Sequence, residues 1–283
     1  MHKKTTIVML HTTIRGDEKL LMEAAKKADV DLVVVDARGL VLSPDVWQEK
    51  CDVVLERCVS TTIGMHAIAF FESLNIPVVN NLRVANICED KFATSLALNK
   101  AHVPTIPFAL AFDEVHAVQA IEGLGGYPVV LKPTGGSWGR LIAKINDQDA
   151  LEAVIEQKMI LGSPMHKALY FQKYIEKPGR DIRVTMVNGK VVCAIYREAT
   201  HWVTNTARGA EAKPCPVDKD LEKISQAASR AVGGGVLGVD VFETDDGYVI
   251  NEINHTVEFK NVQRVTGVDV AGEIISYCQE VLS

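Results

Sequence analysis

The stretch Gly233 to Asn261, GGGVLGVDVFETDDGYVINEINHTVEFKN, holds the densest chemistry in the chain. Two short apolar runs, Leu237 to Glu243 and Tyr248 to Ile253, flank Asp-Asp-Gly, a hairpin turn signal. Asp240, Glu252 and Asn254 bring two carboxylates and an amide oxygen to this hairpin. Glu252 and Asn254 are two apart and share a strand face. A two-residue loop, Asp246-Gly247, would set Asp240 opposite Ile253, facing away. A three-residue loop, Asp245-Asp246-Gly247, sets it opposite Glu252, with a type I turn and its glycine left-handed. The second arrangement is the one expected here. Hard oxygen donors left incomplete in this way suit magnesium bridging to phosphates. The bland alternative is an ordinary hairpin with solvated acids on its outer face.

Working outward, the 283 residues suffice for one large domain or two to three small ones, and 47% hydrophobic residues can fill a sizeable core. A net charge of −6 gives no hint of nucleic acid. No apolar run reaches the ~18 residues of a membrane span, and the start MHKKTTIVML is unlike a signal peptide. A cytoplasmic protein is expected. The six cysteines show no CxxC and no zinc-ligand spacing, and read as free thiols in a reducing compartment.

Residues 1 to about 87 alternate strands (Thr6 to Leu10, Leu32 to Val35, Val53 to Leu55, Ile76 to Val79) with helices (Arg15 to Ala28, one around Trp47, Ser60 to Leu74). That alternation argues for a parallel sheet covered on both faces. The turn after the first strand lacks Gly-x-Gly-x-x-Gly, so a dinucleotide site is not expected. Lys91 falls in the first turn of a helix opened by Asp90, where the helix dipole does not favour it. It is either solvated or a phosphate contact. A buried strand, Tyr127 to Pro133, delivers Lys132 to the glycine-rich loop Thr134-Gly135-Gly136-Ser137-Trp138-Gly139-Arg140. Glycines let backbone N–H groups approach phosphate oxygens, although a plain turn also uses them, and no Walker motif is present. Ala168 to Ile175 reads as a strand, Asn188-Gly189 as the turn of a hairpin, and Thr200 to Ala210 as a polar loop too long for a simple turn.

Two lysines, a glycine-rich loop and a distal oxygen-donor hairpin, in this order, resemble the ATP-grasp superfamily over essentially the whole chain. The segments GSWGRLIAKIND (Gly136 to Asp147), GSPMHKALYFQKYIEKPGRDIRV (Gly162 to Val184), HWVTNTARG (His201 to Gly209) and VINEINHTVEFKN (Val249 to Asn261) resemble the LysX-type ligases, relatives of the RimK-type glutamate ligases. The resemblance implies an α/β, three-domain ATP-grasp fold: an N-terminal parallel pre-ATP-grasp domain over 1–88, a central domain over 89–170 and a C-terminal domain over 171–283. It implies ATP and two magnesium ions. The γ-carboxylate of the C-terminal glutamate of a small acidic amino-group carrier protein would be phosphorylated, and the α-amino group of 2-aminoadipate would attack the acyl phosphate. Lys91 and Lys132 would contact phosphates, covered by a lid of Gly136, Ser137, Trp138, Gly139 and Arg140. Gln172, Lys173, Tyr174 and Ile175 would form a hinge whose Lys173 and Ile175 backbone groups read adenine. Asp181 would lie near the ribose or the nucleotide edge, and Asn205 by nucleotide and metal. Arg183 and Arg197 would stabilise the phosphates and the acyl phosphate, and Asp240, Glu252 and Asn254 would hold the metal. Thr206, Ala207, Arg208, His255, Thr256, Glu258, Phe259, Lys260 and Asn261 would receive the amino acid.

The rival readings are glutamate as the incoming amino acid, since a methylene is worth only ~1–3 kcal/mol of discrimination; a RimK-type enzyme extending another protein; and a nucleotide-binding scaffold without turnover. An acidic carrier would need a basic surface, for which Lys167, Lys173, Lys177, Arg180, Lys213, Lys260 and Arg264 are candidates. Relatives form tetramers, so a homo-oligomer, dimer or tetramer, is expected.

Overall fold

The computed structural model describes residues 4–47, 51–136, 140–204 and 209–282, without the side chains of 164 and 165. Its first unit runs β1 (Thr5–His11), α1 (Gly16–Lys27), β2 (Val30–Asp36), β3 (Val53–Arg57), α2 (Thr61–Ser73) and β4 (Val78–Val79). The strands are all parallel, in the order β2-β1-β3-β4. Val8 and Leu10 face a core with Ala67, Ile68 and Phe71 of α2, while Ile7 and Met9 face the opposite core. Burial on both faces is why the strand reads as an unbroken apolar run. No helix forms in the described residues 40–47, contrary to the expectation around Trp47. Val46 and Trp47 both donate to the Ser43 carbonyl, making one isolated turn.

Two helices follow, α3 (Leu82–Glu89) and α4 (Lys91–Lys100). Asn81 caps the first by accepting from the Val84 amide, and Asp90 caps the second by accepting from Phe92 and Ala93. Next come β5 (Phe108–Ala111), α5 (Glu114–Gly123), β6 (Val129–Lys132), β7 (Ala143–Ile145), α6 (Gln148–Leu161) and β8 (Leu169–Lys173). Their antiparallel sheet has the order β5-β8-β6-β7, with α5 and α6 on its apolar face.

The last unit holds β9 (Arg180–Val187), β10 (Lys190–Glu198), β11 (Glu211–Pro214), α7 (Lys219–Val232), β12 (Val236–Thr244), β13 (Gly247–Asn254), α8 (Lys260–Thr266) and α9 (Val270–Glu280). Its sheet is antiparallel in the order β11-β10-β9-β12-β13. Leu221, Ile224, Ala228 and Val232 of α7 pack on one face with Leu98 of α4. The helix α9 leaves this sheet and lies on α1, where Ile274, Ile275 and Cys278 join Ile7, Met9 and Leu21 in one core. No helix among the described residues is long and apolar enough to cross a membrane.

The hairpin of β12 and β13 corrects one expectation. Thr244 pairs with Gly247, so the turn is Asp245-Asp246 alone, not the three-residue loop. Val241 pairs with Ile250, yet Asp240 pairs with Glu252. The extra residue is Asn251, a bulge inside the ladder rather than a longer turn. The pairing of Asp240 with Glu252 is therefore reached by a different route.

Candidate active site

Three elements converge on one cleft. Asp240 from the middle of β12, Glu252 and Asn254 from the end of β13, and Lys91 from the first turn of α4 all line it. Lys91 is buried although it is a lysine. Its amide donates to the Thr134 carbonyl (2.8 Å), its Nζ donates to the Gly136 carbonyl (2.6 Å), and Nζ lies 3.3 Å from Glu252 Oε1. It thus ties helix, glycine-rich loop and hairpin together. Lys132, at the end of β6, donates from Nζ to Asn251 Oδ1 at 2.8 Å. Burial drives its pKa down to about 8, against the opposing pull of Glu252. Asn251 was not anticipated. The bulge turns it, together with its neighbour Glu252, into one recess.

Asp240 is 5% exposed and lies between two guanidiniums. Arg183 contacts both its oxygens, with Nη2 to Oδ2 at 3.0 Å, and Arg197 Nη2 is 3.1 Å from Oδ2. Burial opposes the charge of Asp240, but Arg183 and Arg197 outweigh it and hold the carboxyl below the usual range. Gly238 makes room for this, since a Cβ there would come 2.8 Å from Arg183 Nη1. Asp181 is also buried; it accepts from Arg197 Nε at 2.6 Å and from the Thr204 hydroxyl, with Lys177 Nζ 3.6 Å away. Its carboxylate orients Arg197 and also lines the neighbouring recess. Five cations (Lys91, Lys132, Lys177, Arg183, Arg197) meet three carboxylates (Asp181, Asp240, Glu252), a surplus that favours a polyphosphate.

Beside this cluster lies an apolar recess walled by Ile106, Val130, Ile142 and Phe242 and by the segment Gln172 to Ile175. Gln172 is 2% exposed, and its Oε1 is buried without a hydrogen-bond partner. A purine nucleotide fits both features, the apolar walls and the unmet acceptor. The Lys173 amide, however, donates to the Pro107 carbonyl (2.9 Å), so that N–H is already used.

At the other end of the cleft, Thr256 Oγ1 lies 3.4 Å from Glu56 Oε2, and Glu258 pairs with Arg15 at 3.0 Å. Asp17 accepts from the amides of Phe259 (2.6 Å) and Lys260 (2.7 Å), fixing this segment to α1. Lys260 and Asn261 line the cleft. Phe259 does not, because its side chain is fully buried in the core under α1 and α9. Burial, then the charge of Arg57, lowers the His255 imidazole to about 4, so it stands neutral. Gly136 lines the cleft with φ +98, whereas Ser137, Trp138, Gly139, Asn205, Thr206, Ala207 and Arg208 lie outside the described residues. Arg140 is exposed and is not among the residues lining the cleft.

Asn80 was also missed. It is 5% exposed and spans two units. Its Nδ2 donates to the carbonyls of Val236 (2.7 Å) and His255 (2.6 Å), and its Oδ1 accepts from the Val236 amide (2.6 Å). Asn80-Asn81 was visible as a polar pair after an apolar strand, which marks a turn but not its tertiary partner. Among the candidate basic residues, Arg180 is clamped by Glu243 (2.7 and 2.8 Å), Lys213 by Glu198 (2.5 Å), and Lys177 is turned inward. Each of the three is thus held by a carboxylate.

Residues 88–278 match the RimK-like ATP-grasp domain family, and residues 7–87 match the LysX preATP-grasp domain family. The chain belongs to the RimK-like ATP-grasp family. It is thus an ATP-grasp acid–amine ligase of the LysX-like kind. It is 32% identical to the alpha-aminoadipate–LysW ligase LysX of Saccharolobus solfataricus, over 94% of this chain and 98% of that one. It is 29% identical to the glutamate–LysW ligase ArgX of Sulfurisphaera tokodaii, over 97% and 98%. A RimK domain ATP-grasp protein from Sphaerobacter thermophilus superposes with a TM-score of 0.82 at 28% identity, covering 96% of this chain and 99% of that one. The RimK-like family pairs ATP with magnesium, and the donors here are compatible. Among the described residues no three His, Cys, Asp or Glu side chains group for a metal. The candidate set is instead two carboxylates and an amide, all hard oxygens.

Proposed function

We propose that this chain is an ATP- and magnesium-dependent ligase that joins the α-amino group of 2-aminoadipate to the γ-carboxylate of the C-terminal glutamate of a small acidic amino-group carrier protein. The observation that carries this reading is the meeting of Lys91 and Lys132, from separate elements, with the β13 residues Glu252 and Asn251, next to Asp240. In this reading ATP occupies the recess along Gln172 to Ile175, its phosphates toward Lys91 and Lys132 under the loop from Gly136 to Arg140. Two magnesium ions would be held by Asp240, Glu252 and Asn254, and would neutralise the phosphate oxygens. Arg183 and Arg197, which hold Asp240 here, would turn toward phosphate oxygens once that carboxylate served a metal ion.

A carboxylate is a poor electrophile, and phosphorylation gives it a good leaving group. Arg183 and Arg197 would counter the negative charge that builds as the amine attacks, and water would have to be kept from the acyl phosphate. No protein nucleophile is needed. Asn205 to Arg208 and the segment from His255 to Asn261 would frame the amino acid, with Phe259 acting only as its buried anchor. A homo-oligomer in the cytoplasm, with the division into three domains expected above, completes the reading.

A second reading has its own support: glutamate as the incoming amino acid, since an ArgX relative matches over nearly the same span at 29% identity. The test is ADP release with ATP, magnesium and an acidic carrier ending in glutamate, with the carrier weighed by mass spectrometry. A mass gain with 2-aminoadipate alone supports the first reading, a gain with glutamate alone the second, and a gain with both a bifunctional ligase. ATP hydrolysis with no carrier gain sinks both.

A further inference from the structure

Glu56 is a carboxylate in the wall of the cleft that the reading above does not use. It stands near the end of β3, at the carboxyl edge of a parallel sheet, where ligands of such sheets collect. It is 6% exposed and lines the same cleft as Asp240, Glu252 and Asn254. Its Oε1 accepts from the Cys58 amide at 2.6 Å and its Oε2 only weakly from Thr256 Oγ1 at 3.4 Å. Among the described residues no cationic nitrogen lies within 4.0 Å of it. The neighbouring Arg57 turns to Glu18, with Nε 3.2 Å from Oε1. Burial pushes the Glu56 carboxyl up.

The other carboxylates of the cleft are engaged. Asp240 and Glu252 face arginines and Lys91, Glu258 faces Arg15, Asp17 takes two backbone amides, and Glu89 takes Thr61 and the Gly136 backbone. A buried anion without a cation is costly unless a ligand supplies one. Lys260 is its complement: an exposed cation on the cleft with no carboxylate partner among the described residues. Its stem lies over Gly16, where a Cβ would come 2.3 Å from Lys260 Cδ. A buried carboxyl with no cation beside it and an unpaired cation in one cleft suit an amino-acid zwitterion, whose ammonium would favour the ionised form of Glu56.

We propose that Glu56 receives the α-ammonium of the incoming amino acid and takes its proton, with Lys260 serving one of that molecule's carboxylates. This rests on the ligase reading above. The proton passes from nitrogen to the Glu56 carboxylate. The freed lone pair forms the C–N bond to the acyl carbon, and the bond from that carbon to the phosphate oxygen breaks. Phosphate leaves with the bonding electrons and takes the second nitrogen proton; Glu56 returns the first to solvent.

The test uses Glu56→Gln, which keeps the shape and the acceptor for Cys58 but removes the charge. Hydroxylamine, a neutral nucleophile that needs no ammonium site, traps the acyl phosphate as a hydroxamate on the carrier. The variant is expected to form hydroxamate within about twofold of the parent while kcat/KM for the amino acid falls about 100-fold or more. Loss of both reactions, or of neither, overturns the proposal. A parent protein that yields neither hydroxamate nor ligated carrier fails earlier, at the ligase reading itself, and is told apart by that.

Discussion

Removing the Asn80 side chain gives a direct measure of how strongly the first unit holds the β12–β13 hairpin. Asn80→Ala deletes three hydrogen bonds of 2.6–2.7 Å and leaves the Val236 amide and the carbonyls of Val236 and His255 without them. At about 1 kcal/mol per net hydrogen bond, and more where a buried group is left unmet, the cost is roughly 2–4 kcal/mol. For a chain of this length that is a fall in Tm of roughly 4–8 °C. Because the His255 carbonyl follows Asn254 directly, magnesium-nucleotide binding should weaken as well. Asn80→Asp separates volume from donors: it keeps the size but sets a carboxylate against two carbonyls, so it should be at least as damaging as alanine. Thermal unfolding with and without ADP and magnesium reads both effects. A Tm shift under about 1 °C in Asn80→Ala would refute the idea that this side chain clamps the two units.

Other expectations follow from the same cluster. Asp240→Asn and Glu252→Gln should each lower carrier-dependent ADP formation by about 100-fold or more while the far-ultraviolet dichroism is unchanged; near-normal turnover in either would undo the metal assignment. Gly238→Ala should push the Arg183 guanidinium off Asp240, because the added Cβ would stand 2.8 Å from Nη1; the expected reading is a lower kcat with a folded protein, and unchanged kcat argues that Arg183 does not act in the step. Lys132 sits near pKa about 8 in the free protein, and a bound phosphate favours its charged form. ADP affinity should therefore hold below that pH and fall as pH rises through it. Lys132→Met should flatten this dependence; a variant with the parent's pH profile would assign the titration elsewhere.

Much of the fold was legible because local rules and tertiary packing agree. Parallel strands buried on both faces read as apolar runs, and Asp90, Asp113, Asp147 and Asp218 each cap a helix where the pattern begins. The bulge was legible in principle. Ile250 and Ile253 are three apart yet both fully buried in the same core, which strict alternation forbids. Reading that conflict would have placed the extra residue at Asn251 rather than in the turn. The ion pairs of Asp181 and Asp240 were not legible, because which cation meets which carboxylate depends on sheet order, and β9 inserts between β10 and β12. Glu56 and Asn80 escaped for a related reason: each gains its meaning from a segment more than 150 residues away.

The position of α9 bears on how the chain is made. The face of β1 and β3 that carries Ile7, Met9 and Leu55 is shared between α1 and α9, at opposite ends of the sequence. On the ribosome this flank of the first sheet therefore emerges only half covered, and remains so until α9 has been synthesised. Until then the apolar strip of Ile7, Met9 and Leu55 is the kind of surface on which nascent chains aggregate, and docking of α9 is what removes it.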